Sequence, residues 1–200
     1  KNILFIFLIL MFFSTLHSFA QGFKGGISAG VAGTQVDGDR LGGFNMTGFV
    51  GGIFVRNEMN DEWAFSMAIR YFGKGSRKVS DPENGDLTYY RLRLHYAEVP
   101  LTFIYTFGRF YPEFGISCSY LINALEDSDA FGSIDPDPPF NKYDFPAIIG
   151  ISYQFNDHFR LNTQYSYSII PIRKHPGNQS WYFDRGQYNN TVNLTLNYTL

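Results

Sequence analysis

Apolar and polar residues alternate along most of the chain with a period of two, the pattern of a β-strand with two different faces. In Phe159–Ile169 the odd positions carry apolar or aromatic residues or threonine, and the even positions carry Arg, Asn, Gln or Ser. Segments 44–56 and 144–155 are apolar on both faces, so the pattern does not assign their sides. The alternation predicts eight strands, at residues 22–34, 44–56, 62–75, 88–107, 110–122, 144–155, 158–170 and 188–200.

The connections between these segments are short and long in strict alternation. The short ones are 57–61, 108–109 and 156–157, and the long, mostly polar ones are 35–43, 76–87, 123–143 and 171–187. Transmembrane barrels sort their connections in this way, with short turns on the periplasmic side and long loops outside.

The segment lengths also favour a membrane barrel. Each segment spans 12 or more residues, whereas globular strands have about 5–6 residues and a membrane strand needs about 9–11. We therefore predict an all-β fold, a closed antiparallel eight-stranded transmembrane β-barrel. The alternative is a soluble lipocalin-like barrel, which would keep its apolar faces inside and place the face of Arg70 and Glu98 in solvent.

The first twenty residues have the pattern of a secretory signal peptide. Lys1 provides a positive start, Ile3–Phe13 is an apolar core, and Ser18-Phe19-Ala20 is a small-x-small cleavage site. Eleven helical residues rise about 1.5 Å each and do not cross a hydrocarbon core of about 30 Å. We predict a cleaved signal peptide at residues 1–20 and an outer-membrane barrel domain at residues 21–200.

Composition excludes several classes of protein. The chain has 200 residues, a formal net charge of −2, 18% aromatic residues and 20 glycines. Without a basic excess, no nucleic-acid partner is expected. The single cysteine, Cys118, excludes a disulfide scaffold. The mean hydropathy of −0.16 is what a barrel with a lipid-facing side and a polar lumen would average.

Six short motifs rich in glycine and aromatic residues occur along the chain: Gly22–Gly26, Gly48–Gly52, Tyr71–Gly75, Tyr96–Leu101, Tyr111–Gly115 and Asp144–Gly150. In order and spacing they resemble those of the PorT-like outer-membrane β-barrel proteins of Bacteroidota-type bacteria. The resemblance implies an eight-stranded barrel, and some members of that family take part in type IX secretion and gliding. The chain departs from the family at Ala68, where members often have a polar or acidic residue, and at Leu200, where an aromatic residue is more common.

An eight-stranded barrel has an interior that side chains just fill, so charged inward residues are candidates for a plug. Arg70 and Glu98 lie on adjacent segments at similar distances from their turn, and we expect them to pair. Glu113 and Arg160 lie near short turns and are expected to meet across the lumen, with Lys24 nearby. Because buried charges are costly unless paired, we predict a structural ion-pair plug of these five residues. A gated small pore is the alternative.

The sequence provides little support for catalysis or for a cofactor. The mature chain has three histidines, His95, His158 and His175, and no G-x-S-x-G nucleophile motif. The acidic residues of the third long connection do not have the spacing of an EF-hand. We expect no enzymatic activity, no cofactor and no metal site.

The aromatic run Trp181-Tyr182-Phe183 lies outside the predicted strands and is a candidate for contacts with a surface partner. The expected partners are outer-membrane lipid and lipopolysaccharide, the barrel-assembly machinery through the C-terminal strand Val192–Leu200, and an envelope protein. The predicted function is an interaction or scaffold role in the outer membrane, with an association with a type IX-like secretion apparatus as the finer hypothesis. The alternatives are a minor porin or small-ligand-binding barrel and, third, an outer-membrane enzyme.

Overall fold

The computed structural model describes residues 22–39, 41–78, 80, 83, 85, 88–128, 132–134, 136–175 and 186–200. The predicted signal peptide and the aromatic run Trp181–Phe183 lie outside the described residues. Within these ranges the regular structure is β-strand, and none of it is a helix long and apolar enough to span a membrane.

The described residues form ten strands, of which eight are long and two are short. Their bounds are β1 Phe23–Asp37, β2 Met46–Glu58, β3 Trp63–Lys78, β4 Tyr90–Tyr105, β5 Phe110–Ser128, β6 Gly132–Ile134, β7 Tyr143–Asp144, β8 Pro146–Gln154, β9 Phe159–Ser168 and β10 Tyr188–Thr199.

The eight long strands form a closed antiparallel ring, as the alternation predicted. Their order around the ring is β1-β2-β3-β4-β5-β8-β9-β10, and β10 returns to β1 through a ladder that runs from Gly26↔Thr199 to Asp37↔Tyr188. The short strands β6 and β7 pair with the part of β5 that extends beyond β8. Closure pairs the backbone groups that an open edge would leave unsatisfied in lipid.

The burial of side chains alternates along the strands. It also shows which side chains face the lumen in segments 44–56 and 144–155, whose faces the sequence pattern did not assign. In β9 the even residues Arg160–Ser168 are buried and the odd residues are more exposed. Phe49 and Ile53 of β2 point outward, at 70% and 60% exposure. In β8, Ile149 and Ile151 are exposed while Ser152 is buried. The exterior is therefore an apolar surface around the ring.

Short and long connections alternate, but three of the long ones begin later than the sequence pattern predicted. Residues 35–37, 76–78 and 123–128, expected in loops, belong to strands β1, β3 and β5. Strands β3 and β5 extend because β4 lies between them and pairs Tyr90 with both Lys78 and Ser128. The barrel wall formed by β3, β4 and β5 thus projects beyond its neighbours at the long-loop end.

The interior near the long-loop end is apolar, contrary to the expectation of a uniformly polar lumen. Two of the residues concerned, Phe140 and Ile172, come from long connections that fold into the barrel mouth. We call this cluster the upper apolar layer; it consists of Val36, Leu92, Leu94, Tyr96, Leu121, Phe140 and Ile172.

Candidate functional site

Four charged side chains meet in the middle of the lumen, and we call them the central ion cluster: Arg70, Lys74, Glu98 and Asp144. None is more than 7% exposed. Arg70 Nη2 lies 2.6 Å from Glu98 Oε1, and Lys74 Nζ lies 2.9 Å from Glu98 Oε2. Lys74 Nζ also lies 3.4 Å from Asp144 Oδ2. With two positive and two negative groups, the cluster is electrically balanced.

The strand geometry explains how these residues meet. Arg70 and Lys74 are four apart on β3 and therefore share a face. Glu98 on β4 is the direct cross-strand neighbour of Arg70. Asp144 belongs to β7, which docks on β5 with Asp144 opposite Ser119. The cluster thus draws on neighbouring strands and on a short strand held against the wall.

Polar neighbours and aromatic rings complete the cluster. Ser119 Oγ donates to Glu98 Oε2 at 2.9 Å, and Arg70 Nη1 donates to Gln164 Oε1 at 2.8 Å. The Lys74 ammonium lies 5.0 Å from the ring centroids of both Phe72 and Tyr96. A buried charge is tolerated only when it is paired and hydrogen-bonded, and these contacts meet that condition.

A second ion pair lies beside the upper apolar layer, where Glu126 is the cross-strand neighbour of Leu92. Arg173 Nη1 donates to Glu126 Oε2 at 2.8 Å, and Arg173 Nε donates to Gln187 Oε1 at 2.8 Å. The guanidinium lies 4.2 Å from the Phe140 ring centroid, and the Tyr90 hydroxyl donates to Glu126 Oε1 at 2.7 Å. The upper apolar layer therefore contacts both ionic groups, through Phe140 on Arg173 and Tyr96 on Lys74.

The five residues of the predicted plug do not all meet. Arg70 and Glu98 pair as expected, but Glu113 and Arg160 form no ion pair. Glu113 Oε1 instead accepts hydrogen bonds from Asn162 Nδ2 at 2.7 Å and Gln164 Nε2 at 2.6 Å. These two amides lie on the same face of β9 as Arg160 and bind the Glu113 carboxylate in its place.

Arg160 and Lys24 lie near the short-turn end, where the plug prediction placed them, but they contact other groups than Glu113. The Arg160 guanidinium lies 3.8 Å from the Tyr111 ring centroid and donates to Gln154 Oε1 at 2.8 Å. Lys24 pairs with Glu58 at 2.6 Å, and both side chains are nearly half exposed. Lys24 is at the rim because it lies at the very start of β1.

Sequence reasoning missed Lys74, Asp144, Glu126 and Arg173. The signal for Lys74 was available, because alternation on β3 puts it on the face of Arg70. Asp144 lies in a segment whose sides the pattern did not assign. Glu126 and Arg173 lie in segments expected to be loops, where alternation makes no prediction.

The other candidate residues lie apart from the lumen. His95 is on the outer face, where its Nδ1 is 2.5 Å from the Tyr71 hydroxyl, as alternation predicts. In the part of the chain that the structure describes, no three His, Cys, Asp or Glu side chains are grouped as metal ligands would be.

Comparisons with known proteins extend these observations. A model of the outer membrane protein beta-barrel domain family matches residues 13–174. The crystal structure of Ail, the attachment invasion locus protein of Yersinia pestis, has a TM-score of 0.51 at 17% identity, covering 90% of this chain and 99% of Ail. Neisserial surface protein A has a TM-score of 0.48 at 16% identity, covering 90% of this chain and 97% of that one. No curated protein matches the sequence.

Proposed function

The chain belongs to the outer membrane protein β-barrel domain family and lies in the bacterial outer membrane; from that premise we propose that it is a non-conducting barrel that acts by binding other molecules of the envelope. The proposal includes export with removal of residues 1–20, no enzymatic activity, and assembly through the C-terminal strand Val192–Leu200.

The observation that carries the proposal is the filled interior. The central ion cluster, the upper apolar layer and the Glu126–Arg173 pair are all buried in the lumen and contact one another, with Tyr96 on Lys74 and Phe140 on Arg173. Conduction would require these groups to separate, and breaking a buried ion pair costs about 3–5 kcal/mol. A barrel with such a barrier offers its loops, turns and outer surface for function.

The finer hypothesis is that the partner belongs to a type IX-like secretion apparatus. Its support is the ordered set of motifs that resembles the PorT-like proteins. Four of these motifs carry Lys74, Glu98, Glu113 and Asp144, and all four side chains are buried in the lumen. The motifs thus have a shared physical role in this chain, which is to fill the barrel.

Planar-bilayer recording of the purified, folded barrel tests whether the lumen conducts. We expect little steady conductance, because paired charges and the upper apolar layer fill the lumen. Large, stable channels would refute the proposal and favour the porin alternative. Heat-modifiable migration on a gel verifies that the sample is a folded barrel before recording.

Co-purification of the tagged chain from native membranes tests the binding role. We expect an envelope protein to be enriched and its yield to fall when Trp181 and Phe183 are changed to alanine. Phe44→Ala is the matched control, because Phe44 is an exposed aromatic residue in another long connection. Equal loss in the control, or no loss in either variant, would exclude this aromatic run as the contact.

A further inference from the structure

Two arginines at the short-turn end of the lumen have no carboxylate of their own. Arg56 and Arg160 are 8% and 7% exposed. The nearest carboxylate contact of Arg56 is Glu58, at 3.6 Å, and that carboxylate is already bonded to Lys24 at 2.6 Å. Among the described residues Arg160 contacts only an amide oxygen and an aromatic ring.

The two guanidinium groups line the same internal cavity, so their positive charges face each other. The Arg56 Nε atom is buried and has no hydrogen-bond partner within the described residues. Buried positive charges are normally paired with an anion, and a buried donor without a partner is destabilising. Three cations, Lys24, Arg56 and Arg160, share the two carboxylates of Glu58 and Glu113, so the arrangement is short of one negative group.

Both arginines line one internal cavity of about 60 Å³, a volume equal to roughly two water molecules. Its wall carries hydroxyl and amide groups, including Thr199 and Asn197, and the Glu113 carboxylate, whose Oε1 already accepts from Asn162 and Gln164. Below it, a depression of about 420 Å³ among the short turns shares Arg56 with the cavity and is also lined by Tyr111, Glu58 and Asp61. Arg56 therefore lies where the depression and the cavity meet.

We propose that Arg56 and Arg160 form an oxyanion-binding site at the periplasmic mouth of the barrel, for a carboxylate or phosphate group of a periplasmic molecule. Guanidinium groups bind both kinds of oxyanion through paired, charge-assisted hydrogen bonds. A bound oxyanion accepts a hydrogen bond from the free Arg56 Nε–H and lies between two charges that otherwise repel. The site goes beyond the proposed function, since an envelope partner need not bind there.

The test is an NMR titration of the full chain in lipid nanodiscs at constant ionic strength. The probes are inorganic phosphate, acetate, and an alanine tripeptide with a free or an amidated C-terminus. We expect saturable amide shifts at the short-turn end only. Saturation by phosphate alone assigns the site to a phosphate group, and saturation by the free but not the amidated peptide assigns it to a peptide carboxylate.

Charge-neutralising variants decide whether the arginines are responsible. We expect Arg56→Gln and Arg160→Gln each to raise the Kd at least tenfold. The matched control is Arg109→Gln, which removes an exposed positive charge from a short turn at the same end and is expected to change the Kd less than twofold.

Three outcomes would overturn the site. The first is the absence of saturable shifts with every probe, and the second is shifts spread over the whole barrel. The third is an equal loss of affinity in the Arg109→Gln control. The first two are read from the unmodified chain alone, so the test stands even if a variant fails to fold.

Discussion

The central ion cluster predicts a large stability loss when the Glu98 carboxylate is replaced by an amide of the same shape. Glu98 is fully buried and accepts hydrogen bonds from Arg70 Nη2 at 2.6 Å and from Ser119 Oγ at 2.9 Å, besides its pair with Lys74. Glu98→Gln leaves two buried cations facing Asp144 alone. Removing one partner of a buried ion pair costs about 3–5 kcal/mol, a factor of about 10²–10⁴ in the unfolding equilibrium.

The assay is urea unfolding of the barrel in phospholipid vesicles, followed by tryptophan fluorescence and by heat-modifiable migration. The matched control is Glu58→Gln, which breaks the Lys24 pair at the exposed rim. A surface pair contributes about 0–1 kcal/mol, so the control should unfold almost like the unmodified chain.

A double variant separates charge imbalance from a simple packing defect. Glu98→Gln combined with Lys74→Met leaves one cation, Arg70, and one anion, Asp144, in the cluster, so its net charge is again zero. Methionine packs well against the Phe72 and Tyr96 rings. We expect the double variant to recover at least about 1 kcal/mol relative to Glu98→Gln, as coupled neighbours do. Equal losses for Glu98→Gln and Glu58→Gln would refute the reasoning.

Two further predictions concern the barrel wall and its loops. A Cβ on Gly52 would lie 2.1 Å from the Ile69 carbonyl oxygen, whereas one on the adjacent Gly51 would meet only the Ser28 carbonyl oxygen at 3.5 Å. Gly52→Ala should therefore lower the unfolding free energy by about 1–3 kcal/mol and Gly51→Ala by less than about 0.5 kcal/mol; equal effects in urea unfolding would contradict this. In the first long connection, burial raises the pKa of Asp39 above its ordinary value of 3.8. Hydrogen bonds from Ser76 and from the Leu41 backbone N–H lower this pKa, but their effect is smaller than that of burial. The folded state then favours the protonated acid, so its contribution to stability is greatest below pH 3.8 and is lost as the pH rises through the folded pKa. As the pH rises, the Asp39→Asn variant should therefore become more stable relative to the unmodified chain. A difference in unfolding free energy between the two proteins that does not change with pH would exclude this.

Part of the candidate site follows from local sequence. The Arg70–Glu98 pair was predictable because the two residues lie on consecutive strands of one hairpin, at similar distances from its turn. The same alternation puts Lys74 and Glu113 inside the barrel. It does not say which inward groups bond, because Asn162 and Gln164 compete with Arg160 for the Glu113 carboxylate.

Other parts depended on how distant segments dock. Asp144 enters the central ion cluster only because β7 pairs with β5, and Arg173 meets Glu126 because a long connection folds into the barrel mouth. The extension of β3 and β5 depends on pairing with β4, which hydrophobic alternation does not reveal. Loop sequences have no periodic alternation of apolar and polar residues, so this docking cannot be predicted from them.

The sequence by itself determined the strand period, the two faces of most strands and the alternation of short and long connections, from which the closed ring follows. These properties are local: side chains of a strand alternate whatever the strand pairs with, and an edge in lipid must close. Only the tertiary structure decided which charges meet, where the lumen is apolar and which arginines lack a partner. Those outcomes depend on distances across the barrel, which are set by the register of every strand and the paths of the long connections.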